Sequence, residues 1–189
     1  DRCGHPLIAH ACNNCTSRPN SFETARAVGE YSGVLRDAIH QFKYNGHRML
    51  AADLAGLMYK YLTTRSDFNS KGVDLIVAVP IHPVKKRLRG YNQSELLANE
   101  LSRLTGIPAS SRTVERFRQT RAQVELSREE RLRNVSGAFK VASPEQLAGK
   151  KLLLIDDVST TCSTVHECSL ALRSGGASRV QVLCLAFGS

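Results

Sequence analysis

Two adjacent carboxylates, Asp156 and Asp157, stand at the end of the apolar run Leu152 to Ile155, and Ser159, Thr160, Thr161, Cys162, Ser163 and Thr164 follow almost directly. Ionised carboxylates only accept hydrogen bonds, so such a pair suits a group that offers O–H, such as the vicinal hydroxyls of a sugar. A hydroxyl-rich turn that opens a helix suits the opposite kind of group. Its free backbone amides, its side-chain hydroxyls and the helix dipole all favour an anion, above all a phosphate monoester. One small molecule carries both features: a ribose whose 2′- and 3′-hydroxyls meet the acids while its 5′-phosphate fills the turn. Either carboxylate can also meet hydrated Mg²⁺. Each feature alone is common at a strand end or a helix start, and it is their direct succession that points to a site.

A second constellation lies near the start. Cys12 and Cys15 have the spacing with which two thiolates hold one tetrahedral Zn²⁺, and Cys3 supplies a third. His5 or His10 can complete the set, as can a cysteine before Asp1, since a chain that starts with Asp is expected to begin inside a longer one. Unmetallated thiols in a polar tail are the plainer alternative. Redox chemistry fits less well, because that use of the spacing goes with a neighbouring βαβ pattern. Cys162, at a helix start, reads either as a thiol of lowered pKa or as a plain small residue. Cys168 and Cys184 fall on apolar faces and are expected in the core.

Composition limits what these sites can belong to. The 189 residues suit one α/β domain, here 21–189, after a cysteine-rich segment 1–20. Lysine and arginine total 26 against 17 acidic residues, and the formal charge of +9 favours polyanions such as phosphates or nucleic acid. No apolar run approaches the roughly 20 residues that span a bilayer, and no secretory h-region opens the chain. A soluble cytoplasmic protein with reduced thiols and no membrane partner is expected.

The elements that must position the site follow from periodicity. Apolar residues at helical spacing predict helices over Val34 to Phe42 and about Met49 to Leu62. Asn92 or Ser94 caps a further helix with the stripe Leu96, Leu97, Leu101 and Leu104, stopped by Gly106. A helix over Ser163 to Ser174 stops at Gly175 and Gly176. Strands are predicted near Arg26 to Tyr31, at Val73 to Pro80, at Lys151 to Ile155 and at Val180 to Phe187. The apolar runs among them are continuous, as in parallel strands covered on both faces. A basic loop containing Lys85, Lys86, Arg87 and Arg89 follows the second strand. Residues 110–140, arginine-rich and poor in apolar side chains, read as a flexible basic arm with a short helix near Ser127 to Arg133.

The run from Asp156 to Thr164 resembles the phosphoribosyltransferase signature, with Cys162 where that signature usually has glycine; a Cβ there would crowd the phosphate or oppose a positive φ. The resemblance widens to the competence protein F family, described as amidophosphoribosyltransferase-like, through Cys3-Gly4 with Cys12 to Cys15, Tyr31 to Arg36, Phe42 to Tyr44, Val79-Pro80, Arg89 to Ser94, Glu129 to Val135 and Gly137 to Phe139. It spans nearly the whole chain. The resemblance implies an α/β, phosphoribosyltransferase-like fold with a mostly parallel sheet flanked by helices, an N-terminal zinc-binding module, and a link to natural DNA uptake, with other competence proteins as partners.

On that reading phosphoribosyl diphosphate or a related nucleotide, with Mg²⁺, is the ligand. The catalytic set is Asp156, Asp157, Arg87 and Arg89; Lys85 and Lys86 lie with those arginines at the diphosphate, and the loop Ser159 to Thr164 with Asp156 and Asp157 holds the ribose 5′-phosphate. Negative charge on a departing diphosphate needs such cations, and the basic arm would close over the site to exclude water. The alternative is a non-catalytic module in which the same basic segments bind the backbone of single-stranded DNA.

Overall fold

The computed structural model describes residues 21–119 and 128–188 except 45, 67 and 69, and for residues 128, 129, 131 and 132 it describes the backbone alone. The cysteine-rich segment, with Cys3, Cys12, Cys15, His5 and His10, lies outside the described residues, as do residues 120–127 of the basic arm.

The continuous apolar runs form the middle of one parallel sheet. β6 (Lys151–Ser159) lies between β7 (Arg179–Phe187) and β2 (Leu75–Ala78), and β1 (Thr24–Glu30) and β3 (Ala109–Ser110) are the edges, in the order β1-β7-β6-β2-β3. Successive side chains of a strand point to opposite faces, so a doubly covered sheet has two cores. Leu152, Leu154, Val180 and Val182 pack with Val165, Cys168 and Leu172 of the helix Ser163–Ser174. Leu153, Ile155, Leu183 and Leu185 pack on the other face with helices α1 (Gly33–Tyr44), α2 (Leu50–Thr64) and α4 (Gln93–Thr105). Cys168 and Cys184 are both buried in the core, as expected.

The site's place follows from this connectivity. From β2 the chain runs outward to β3 through α3 (Pro83–Arg89) and α4. From the neighbouring β6 it runs the other way, to β7 through the last helix, Ser163–Ser174, which is α6. Two adjacent parallel strands whose crossovers diverge leave a crevice at their carboxyl ends, where ligands of open α/β sheets bind. Ala78, the last residue of β2, pairs with Ile155, while β7 still pairs with Asp156 through Cys184. Both acids therefore stand just past the end of β2, at that crevice.

Two segments differ from the sequence expectation. The predicted basic loop after β2 holds the helix α3, with Pro83 in its first turn, the His82 ring accepting from Val84 N at 3.3 Å, and Gly90 closing it at φ 83°. It buries none of its residues, so no apolar period marks it. The basic stretch 110–140 is fixed where it is described: β4 (Val114–Arg116) pairs antiparallel with β5 (Phe139–Val141), and α5 (Arg128–Val135) precedes β5. Val114, Val135, Ala138 and Phe139 are buried, too few and too scattered to show alternation in sequence. Among the described residues no helix is long and apolar enough to cross a membrane.

Candidate functional site

Asp156 and Asp157 are each 8% exposed, and their hydrogen bonds fix one oxygen of each. Asp156 Oδ1 accepts from Ser94 Oγ at 3.0 Å and from the amide of Asp157 at 3.0 Å. Asp157 Oδ1 accepts from the amide of Val158 at 2.6 Å and meets Lys43 Nζ at 3.1 Å. The Oδ2 atoms have no partner among the described residues and are not sealed from solvent. Each acid is thus oriented through one oxygen and offers the other. Burial and the adjacent charge of Asp157 push the Asp156 pKa up to about 7, against the opposing pull of Lys43 and the hydrogen bonds from Asp157 N and Ser94. A carboxylate that is costly to leave charged gains from a hydrogen-bond donor or cation supplied by a ligand.

The next residues turn into α6. Thr161 Oγ1 and Ser163 Oγ lie 2.7 Å apart, and a small polar concavity is lined by Asp156, Val158 and Ser159 to Thr164. Cys162 is the helix N-cap, with φ 56° and ψ 12°, the one positive-φ residue other than glycine among the described residues. The left-handed turn that the signature's glycine provides is therefore kept despite the Cβ, at a cost of roughly 1–2 kcal/mol. The Cys162 thiol packs into the core beside Val165 and Cys168 and accepts from Ser159 Oγ at 3.4 Å. This burial favours the plain reading of Cys162 over the reactive one. Iodoacetamide is expected to leave Cys162, Cys168 and Cys184 unmodified in the native chain and to alkylate all of them after denaturation, read by mass spectrometry. Rapid native alkylation of Cys162 would restore the reactive thiol.

The segment Arg89 to Ser94 proves to be a brace for the acids. Gly90 takes a left-handed conformation, and a Cβ there would come within 2.9 Å of Arg48 Nη2. The hydroxyl of Tyr91 donates to the carbonyl of Phe42, Asn92 Nδ2 donates to the carbonyl of Val79 at 3.0 Å, and Asn92 Oδ1 accepts from Ser94 N at 3.2 Å. These bonds tie α3, α4, the end of α1 and the exit of β2 together, and they deliver the Ser94 hydroxyl to Asp156.

The predicted cations divide. Partial burial of the Lys85 ammonium, then the positive charges of Arg89, Arg116 and Lys43, lower its pKa, and Asp157 opposes them, so Lys85 lies within the field of Asp157. Lys86 is engaged by Glu95 at 2.7 Å, Arg87 is exposed, and the Arg89 guanidinium lies over Tyr44, 5.2 Å from the ring centre. Sequence reasoning assigned no role in the site to Lys43 or Ser94, and to Arg116 only a place in the basic arm expected to close over it. Arg116 sits over Phe139 and within the field of Asp156; burial depresses its pKa and Asp156 opposes that. The signal for Lys43 and Ser94 was present, since both fall in segments that carry the family resemblance. Among the described residues no group of three or more His, Cys, Asp or Glu side chains could hold a metal ion.

A parallel sheet with a switch point between β2 and β6, an acid pair at that point and a left-handed hydroxyl loop opening the next helix make this an α/β protein of the phosphoribosyltransferase-like class. No family model matches the chain. It is 36% identical over 183 residues to the DNA utilization protein YhgH of Salmonella typhi, covering 96% of this chain and 79% of that one. It is 33% identical over 191 residues to competence protein F of Haemophilus influenzae, covering 97% and 83%. The chain belongs to this competence protein F and YhgH family. Among solved structures it is similar to the glutamine phosphoribosylpyrophosphate amidotransferase of B. subtilis, with 18% identity, a TM-score of 0.44 and coverage of 74% and 26%. A purine phosphoribosyltransferase from Pyrococcus horikoshii gives 18% identity, a TM-score of 0.41 and coverage of 74% and 73%.

Proposed function

We propose that the chain binds phosphoribosyl diphosphate, or a related nucleotide, in the crevice between β2 and β6, and that it serves DNA uptake or utilization. The observation that carries the reading is the pair of carboxylates, each oriented through Oδ1 and open at Oδ2, at the head of the loop Ser159 to Thr164. The open oxygens accept from sugar hydroxyls, and the loop's amides and hydroxyls hold the 5′-phosphate. Lys85, with Arg87 and Arg89 on the same helix, is the source of positive charge for a diphosphate, and in a group transfer it would stabilise the charge that grows on the leaving group. Mg²⁺ suits the same open carboxylate oxygens and would neutralise the diphosphate that accompanies it. The cellular setting rests on the names of the relatives.

Titration calorimetry tests this against the polymer-binding alternative. Phosphoribosyl diphosphate with Mg²⁺ is expected to bind at least about tenfold more tightly than nucleoside monophosphates, which lack the diphosphate contacts. Single-stranded oligonucleotides are expected to bind weakly and with a steep salt dependence. Tight oligonucleotide binding with no detectable affinity for phosphoribosyl diphosphate would overturn the proposal and leave a single-stranded DNA module.

A further inference from the structure

Asp157 has a cation beside it. Lys43, the penultimate residue of α1, brings its ammonium to 3.1 Å from Asp157 Oδ1, and the side chains are 17% and 12% exposed. Burial works against the ammonium. The charge of Asp157, its hydrogen bond and the charge of Asp156 together outweigh that penalty and raise the Lys43 pKa, so the group stays protonated at neutral pH.

An ammonium carries three N–H donors, and Asp157 is the only hydrogen-bonding partner of the Lys43 ammonium among the described residues, Asp156 and Tyr31 acting on it through charge alone. Donors without partners thus lie beside the open Oδ2 acceptor of Asp157. Few ligand groups satisfy both at once. A hydroxyl does, because after donating its proton to a carboxylate its oxygen still has lone pairs to accept from an ammonium. A phosphate oxygen would satisfy the ammonium and be repelled by the carboxylate.

We infer that Lys43 is a third member of the sugar-binding set, its ammonium donating to the oxygen of a hydroxyl that itself donates to Asp157. This rests on the sugar-phosphate reading of the crevice and adds a specific role to it: Lys43 selects for the hydroxylated ring and contributes little to holding phosphate.

Calorimetry on the full chain with two probes, ribose 5-phosphate and inorganic phosphate, separates the possibilities. Wild type is expected to prefer ribose 5-phosphate. Lys43→Met is expected to weaken ribose 5-phosphate binding about tenfold or more, the scale of one charge-assisted hydrogen bond, and to change phosphate binding less than about twofold. Lys43→Arg, which keeps charge and donors, is expected to retain most of the preference. Unaltered phosphate binding also reports that the Met variant is folded, and if that variant does not fold, Lys43→Gln with the same two probes replaces it. Equal losses for both probes would reduce Lys43 to general attraction of anions, and an unchanged preference would make the ion pair purely structural; either overturns the inference. A wild-type chain that prefers neither probe sinks the reading of the crevice itself, a different outcome from both.

Discussion

At pH 8 the Asp156→Asn variant is expected to be more stable than the parent chain by on the order of 2 kcal/mol, and to have lost most of its affinity for the sugar phosphate. The first half follows from the cost of the charge. Asp156 is buried beside Asp157, and its pKa rises from 3.8 to about 7. A carboxyl with a raised folded pKa holds its proton more tightly in the native state than in the unfolded one, so stability is full below about pH 4, falls as pH rises toward 7, and is flat above. The interval bounds the effect at about 4 kcal/mol. Asparagine keeps an Oδ1 that can accept from Ser94 and from Asp157 N but loses their charge-assisted strength, so about half of that gain is expected. The check is the difference between variant and parent in denaturant melts from pH 5 to pH 9. It should grow in the variant's favour between about pH 5 and pH 7 and stay level above; a difference independent of pH would mean that Asp156 is not the group that titrates.

The loss of affinity has the same origin. A side chain that is unfavourable in the empty protein and favourable with a donor or cation beside it is a group whose cost is offset by ligand. In the parent, sugar-phosphate affinity should fall as pH drops below about 7, because the acceptor becomes protonated.

How much of this was legible in the sequence depends on whether the partners are neighbours in the chain. The acid pair and its loop are contiguous, so residue type and order announced them, and the continuous apolar runs of β6 and β7 announced a buried parallel sheet. Ser94 reaches Asp156 across 62 residues, and no local pattern shows that contact. Lys43 is similar: a lysine on the polar side of an amphipathic helix looks solvated until the fold brings the helix end to β6. The helix α3 was hidden because it rests on capping by His82 and Gly90 and on no buried face. At Cys162 the sequence showed that glycine was missing but not where the new side chain would go. The structure keeps the left-handed turn and packs the thiol into the core.

The Asp156→Ala/Asp157→Ala double variant separates the two halves of the site. Binding of phosphoribosyl diphosphate is expected to weaken at least about 100-fold, roughly 2.7 kcal/mol, since both acceptors for the ring hydroxyls go together. Inorganic phosphate should still bind within a few-fold of the parent, because the amides and hydroxyls of Ser159 to Thr164 are untouched. The variant does carry a cost, for it leaves Lys43 without its counter-ion, and an unpaired ammonium at that depth is destabilising. Adding Lys43→Met should therefore recover melting temperature without recovering affinity. Undiminished affinity in the folded double variant would remove the acid pair from the site, whereas loss of both phosphate and sugar-phosphate binding would show that the acids hold the loop's shape and not the ring.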